Sequence, residues 1–136
     1  MTTPCPCGRT SPNPAKSTKI QVLSFSTCCG PFIEENIPAP NAEALMRSRY
    51  SAFVLERSDY LLATWHLSTR PNMLDFAPGA KWLGLDVRSH RVLDADHAEV
   101  EFVARCREAG RAMRLHERSR FVRESVRWFY VDGDQF

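Results

Sequence analysis

No apolar run in this 136-residue chain approaches the roughly 20 residues that a bilayer-spanning helix needs, which excludes a helical transmembrane segment. No apolar signal segment precedes the cysteines either, so a reducing, cytoplasmic setting is expected for the thiols. Lysine is scarce, with three against fifteen arginines, yet the formal net charge is only +2. Proline is nearly missing after residue 40, because seven of the nine lie before residue 41. Internal repeats and low-complexity tracts are lacking, and so is the redox spacing C-x-x-C. What remains is 43% hydrophobic and 25% charged, an ordinary composition for one compact domain with a small appendage.

Against this background the cysteines stand out. Four of the five fall in the first 29 residues as two close pairs, Cys5 and Cys7 in C-P-C-G and Cys28 and Cys29 in C-C-G-P. A disulfide within either pair would be strained, since bridged cysteines need a particular dihedral and Cα separation. Thiolates are the ligands of tetrahedral structural zinc, and four of them leave no open position for chemistry. One structural zinc ion held by Cys5, Cys7, Cys28 and Cys29 is therefore expected. Cross-pair disulfides, redox use and unliganded thiols are the alternatives.

The proline-rich residues 1–40 are expected to form knuckle, loop and linker, with the metal replacing a missing core. A first strong helix is predicted over 41–56, capped by Asn41, with Ala42, Leu45, Met46, Tyr50, Phe53 and Val54 in one apolar stripe. A second helix follows, with Ser58 as cap, and Asn72 to Phe76 could add a short turn of helix. From Lys81 the period changes to two. Leu83, Leu85 and Val87 form one face, then Ala98, Val100, Phe102, Ala104 and Cys106 another. A hairpin turn is expected near Gly110, a bulge where alternation fails between Glu117 and Phe121, and a last strand over Val126 to Val131. Helices followed by consecutive hairpin strands give an α+β class.

The paired cysteines resemble the SEC-C motif, a short zinc-binding element found at the C-terminus of the SecA translocation motor. The similarity continues through Pro38-Ala39-Pro40, the run Ala42 to Phe53 (A-E-A-L-M-R-S-R-Y-S-A-F), Asp59-Tyr60-Leu61, Thr64-Trp65-His66 and Trp128 to Gly133 (W-F-Y-V-D-G). Together these resemble the YchJ family of uncharacterised bacterial proteins. The resemblance implies a zinc-knuckle segment over 1–37 and a nuclear transport factor 2-like domain over 38–136, with helices in the concavity of a strongly curved antiparallel sheet. It also implies dimerisation through the exposed sheet face as a recurrent option. The chain departs from the family pattern in three ways. Arg9 follows Gly8, twenty residues (Gly8 to Thr27) separate the cysteine pairs, and no second cysteine element precedes Phe136. A longer loop lowers closure entropy only logarithmically, so metal binding is expected to survive it.

Three functions from different classes follow. The leading one is a zinc-dependent interaction module for a protein or the ribosome, as the SEC-C resemblance implies, with Arg9, Lys16 and Lys19 as its cationic surface. A small-molecule binding protein or enzyme using the cone cavity is the second, by fold analogy alone. RNA binding is the third, because residues 105–127 carry eight arginines against three glutamates and could present a phosphate-binding face. No catalytic residue is assigned. His66 lacks a defined carboxylate partner, His116 and Glu117 point to opposite faces, and His90 and His97 read as solvated turn residues. Cys106 reads as a core filler. Arg49 falls near the apolar stripe and is expected to bury its guanidinium against Asp59 or Glu117.

Overall fold

Asn41 opens the longest helix: its side-chain oxygen accepts the Ala44 backbone N–H at 2.8 Å, satisfying a donor that no helical carbonyl can reach. In the computed structural model, which describes residues 3–10, 22–74, 76 and 80–136, this helix is Ala42–Val54. We number the elements α1 (Gly30–Glu34), α2 (Ala42–Val54), α3 (Ser58–Ala63), β1 (Lys81–Asp94), β2 (His97–Glu108), β3 (Arg111–Glu124) and β4 (Arg127–Gln135). The strands form one antiparallel meander in the order β1-β2-β3-β4. The class is α+β. Ser58 is the first residue of α3 rather than its cap, and Arg57 precedes it without a capping hydrogen bond. Asn72 to Leu74 are not helical; Asp75 and residues 77–79 lie outside the described residues.

Helix α2 is buried nearly all round. Leu45, Met46 and Tyr50 meet the core, while the small residues Ala44, Ser48, Ser51 and Ala52 are equally enclosed. A single apolar stripe does not explain this. The sheet covers one side, and α3 with the N-terminal segment covers the other. Small side chains at 44, 48, 51 and 52 are what let those neighbours approach the helix backbone. The helix touches β1, β2 and also β4. It therefore reaches both edges of the sheet.

Bulges shift the side-chain phase. Register slips between Trp82 and Gly84, and again between Val87 and Ser89. Each extra residue moves later side chains to the opposite face. As a result Leu83, expected in the core, is exposed, while Trp82, Leu85 and Val87 pack against it. His90 is likewise turned inward, opposite Val100, and is no turn residue. Its Nε2 is the one buried side-chain polar atom without a partner among the described residues. Strand β3 itself pairs with β2 without interruption. The bulge expected between Glu117 and Phe121 lies across from it on β4, where Arg120 faces Asp132 but Phe121 faces Tyr130. Period two holds along β3, with Leu115, Glu117, Ser119 and Phe121 all on the inner face. Two of those inward positions are polar, which is why alternation of character fails there.

The β2–β3 hairpin turns through Ala109 and Gly110, both at positive φ, as expected near Gly110. The β3–β4 hairpin uses Ser125 and Val126 at φ 51 and 72. A β-branched residue in the left-handed region is unfavourable, and two-residue hairpins of this kind prefer Asn-Gly. Val126 is 77% exposed and packs on nothing that would compensate. The exchange Val126→Gly is expected to stabilise the fold by about 1 kcal/mol, raising Tm by roughly 3 °C in a calorimetric melt. An unchanged or lower Tm would show that the turn carries no such strain.

The open edge of β4 is partly covered. His66 N–H donates to Tyr130 O at 2.7 Å and Tyr130 N–H donates to Thr64 O at 2.8 Å. This short parallel bridge anchors the end of α3 and leaves less free edge for a foreign strand.

Candidate metal centre and inner cavity

Two backbone corners carry the cysteines. C-P-C-G is a tight turn in which Gly8 N–H donates to Cys5 O at 3.1 Å, and Gly8 takes φ 75, a conformation that favours glycine. In C-C-G-P, Cys29 precedes α1, and Pro31 occupies its first turn, where the missing N–H is harmless. A Cβ on Gly30 would sit 2.7 Å from Phe25 O, so the close approach requires glycine. The corners are held side by side by backbone pairing. Cys5 N–H donates to Leu23 O at 2.9 Å, Leu23 N–H to Arg9 O at 2.8 Å and Phe25 N–H to Thr3 O at 2.8 Å. This pairing brings the two corners together despite their separation in sequence. Residues 11–21, with Lys16 and Lys19, lie outside the described residues.

The result is that all four Sγ atoms lie within 4.8 Å of one another, and all four cysteines are buried. The Cys7–Cys28 Sγ separation is 3.6 Å and the Cys28–Cys29 separation 3.9 Å. Those distances are far too long for a disulfide. They match the roughly 3.8 Å edge of a tetrahedron of sulfurs about 2.3 Å from a central zinc. The donor set and spacing therefore fit a metal ion.

The thiols strongly influence one another. Hydrogen bonding from Cys28, then Cys29 and Cys7, pulls Cys5 far below the usual thiol range. Cys28 and Cys29 do the same for Cys7, to about 7. Contact with Cys28 and the other thiolates pushes Cys29 up. Electron-rich sulfurs crowded in this way are what a divalent cation stabilises. The surroundings add positive charge. Arg47 donates to Cys7 O at 3.3 Å and to Glu43 at 3.0 Å. Burial pulls its guanidinium down, but Glu43 and Cys7 outweigh that and hold it above its ordinary value. Cys5 Sγ lies 3.5 Å from Ser51 Oγ. Both contacts come from α2, so the cysteine cluster and the helical core share one packed body.

On the other side of α2 lies Arg49, 4% exposed. The expected carboxylate partner is corrected by the geometry. Asp59 is engaged with Arg57 at 3.3 Å, and Arg49 Nη1 instead donates to Leu61 O at 2.8 Å and Thr64 Oγ1 at 2.7 Å. Its Cζ sits 5.1 Å from the Trp65 ring centre and 4.7 Å from that of Tyr130, within cation–π range. Burial lowers its pKa to about 10, which leaves it charged at neutral pH. Glu117 faces the same interior, accepting hydrogen bonds from Ser119 Oγ and from Tyr130 OH at 3.2 Å. The interior is not filled: Arg49 and Glu117 both line a cavity of about 120 Å³, together with Phe53, Trp65 and Phe102.

Gly133 belongs to this arrangement, because a Cβ there would lie 2.5 Å from Glu117 Oε2. Gly133→Ala is expected to push the carboxylate off Tyr130 and Ser119. About 1–3 kcal/mol of stability would go with those hydrogen bonds, read by urea denaturation. If Gly133→Ala melts like the parent, the close packing on Glu117 is not constraining.

The remaining singled-out residues are placed as follows. His66 does have a carboxylate, Glu124, 3.0 Å from Nε2, and its Nδ1 is 2.7 Å from Ser68 Oγ; the group lies at the surface and ties the end of α3 to β3. His97 pairs with Asp94 at 2.8 Å in the β1–β2 hairpin. His116 pairs with Glu101 at 2.8 Å on the outer face, opposite to Glu117. Cys106 is half-buried beside Trp82 and Phe53. Of the eight sheet arginines, Arg118, Arg120 and Arg123 bind carboxylates and Arg127 bonds to Asn36. Half of the basic face is therefore occupied internally.

Comparison with known proteins agrees with these features. Residues 41–133 match the family model described as YchJ, middle NTF2-like domain. A "UPF0225 protein" of Polaromonas naphthalenivorans is 83% identical over all of both chains. One from Bordetella pertussis is 53% identical over 96% of this chain and 91% of its own. Among solved structures, a SEC-C motif containing protein from Rhodopseudomonas palustris superposes with TM-score 0.76 at 31% identity, covering 85% of this chain and 94% of the other. A SEC-C motif containing protein from Psychrobacter arcticus gives TM-score 0.76 at 33% identity, covering 95% and 80%. The chain belongs to the UPF0225 family, and its body is a YchJ-type NTF2-like domain.

Proposed function

We propose that Cys5, Cys7, Cys28 and Cys29 hold one structural zinc ion, and that the segment it staples, residues 1–37, is a protein-contact module on the 38–136 body. The observation that carries this reading is the convergence of four buried sulfurs from two separate corners at tetrahedral spacing. Four thiolates favour a soft, tetrahedral, redox-inert ion and close its coordination sphere, so the metal supplies shape rather than catalysis. The SEC-C likeness of two solved neighbours supports the same assignment. Thiolate ligation suits a reducing compartment, and no helix among the described residues is long and apolar enough to cross a membrane. Arg9, exposed beside the first corner, is a cationic element of the contact surface, and the ribosome is the concrete surface to test.

Metal analysis of purified protein, combined with a two-dimensional amide spectrum before and after chelator, is the experiment. One zinc per chain is expected. Chelation should collapse the dispersion of residues 3–10 and 22–35 and shift the amides of Arg47 and Ser51, while sheet amides stay in place. Co-sedimentation with purified ribosomes should then be lost in the chelated sample. Absence of zinc, or sedimentation indifferent to chelation, would remove this reading.

A further inference from the structure

Arg49 and Glu117 are both buried, at 4% and 8% exposure, and each is held by only part of its polar head. Both protein hydrogen bonds of Arg49 use Nη1. Both of Glu117 use Oε2. The other guanidinium nitrogens and Glu117 Oε1 have no protein hydrogen-bond partner and keep some accessible surface, since His90 Nε2 is the one buried side-chain polar atom without a partner among the described residues. Both side chains line a cavity of about 120 Å³. A mostly buried donor and acceptor with spare valences on one small cavity favour a ligand that matches both over one that matches neither. Each is also fixed in place: Arg49 between the rings of Trp65 and Tyr130, Glu117 against Gly133.

We infer that this cavity is a binding site for a small neutral molecule, about one aromatic ring in size, that offers a carbonyl acceptor to Arg49 and an N–H donor to Glu117. The volume sets the size, because a cavity of about 150 Å³ holds benzene. Charge sets the class. An anion is repelled by Glu117, a cation by Arg49, and a plain hydrocarbon leaves both heads unpaired. Flat walls from Phe53, Trp65 and Phe102 favour a planar ring. A cyclic amide meets every requirement. This site is separate from the cysteine cluster, being built from α2, the sheet and Trp65 just after α3.

The probe is 2-pyridone, titrated into full-length, metal-loaded protein while the Trp65 indole N–H and the Glu117 and Tyr130 amides are followed by NMR. Toluene and benzoate serve as the apolar and anionic comparisons. Saturable shifts confined to cavity residues are expected, with 2-pyridone at least ten-fold tighter than either comparison. Glu117→Met, which keeps the length but removes both acceptor oxygens, should weaken 2-pyridone at least ten-fold and leave toluene unchanged. Leu115→Phe narrows the same space without touching either charged group and should also reduce binding. No saturable shift, equal binding of toluene or benzoate, or a folded Glu117→Met variant that binds 2-pyridone like the parent would overturn the inference.

Discussion

Protein carrying Cys28→Ser and Cys29→Ser together is expected to purify without zinc and to melt at least 10 °C below the parent. Structural zinc in small four-ligand sites is worth about 10–16 kcal/mol of apparent binding energy at neutral pH, and removing half the thiolates forfeits most of it. The loss does not stay local. Cys5 contacts Ser51, and Arg47 donates to Cys7 O, so the segment that leaves uncovers the back of α2. Ser51, buried beside Cys5, would then lose that cover and face water. A cost of roughly 3 kcal/mol to the body follows, equivalent to about 10 °C in a domain of this size. The measurement is elemental analysis with a circular-dichroism melt. A metal-free double variant that melts like the parent would mean that the cysteine segment and the body are energetically separate. The four thiols should also compete with protons: acid protonates them, so zinc is expected to leave as pH falls, and to return on neutralisation.

Arg49→Ala should be the most damaging single exchange in the body, at about 3–5 kcal/mol. It deletes a buried side chain, leaving a void. It also removes charge-assisted bonds to Leu61 O and Thr64 Oγ1, each worth about 1.5–3 kcal/mol, and two cation–π contacts. Because these contributions share one geometry they do not add in full. Arg49→Lys separates charge from shape. Lysine keeps the cation but cannot lie flat between Trp65 and Tyr130 while donating sideways to α3, so an intermediate cost of about 2 kcal/mol is expected. Urea denaturation of the two variants checks the order. Equal stability of Arg49→Lys and the parent would show that charge alone matters at this position.

Much of this was legible in the residues because the relevant rules are local. Asn41 as a cap, the Gly110 hairpin, the switch from period 3.6 to period two and the paired cysteines each depend on a few neighbouring residues. What the sequence hid depends on partners distant along the chain. Leu83 and His90 exchanged their expected environments because two bulges in β1 shift its phase; Gly84 is a local mark of the first, whereas nothing in the run Val87 to Ser89 marks the second. The apolar stripe of α2 understated its burial, since the covering N-terminal segment is drawn in by the cysteines rather than by hydrophobic pattern. Arg49 was readable as buried, but its acceptors are a carbonyl and a hydroxyl on α3, which no charge-pairing rule would select. Glu117 reads locally as a break in alternation, although strict period two with Leu115 and Phe121 places it inward. The signal was the register; the polar identity of the residue masked it.

Zinc-edge X-ray absorption of the purified protein tests the central claim most directly. One zinc per chain with four sulfur neighbours at about 2.3 Å is the expected result, and Cys5→Ser should replace one sulfur by a lighter atom or empty the site. A first shell dominated by nitrogen and oxygen, or zinc well below one per chain in metal-replete protein, would contradict it.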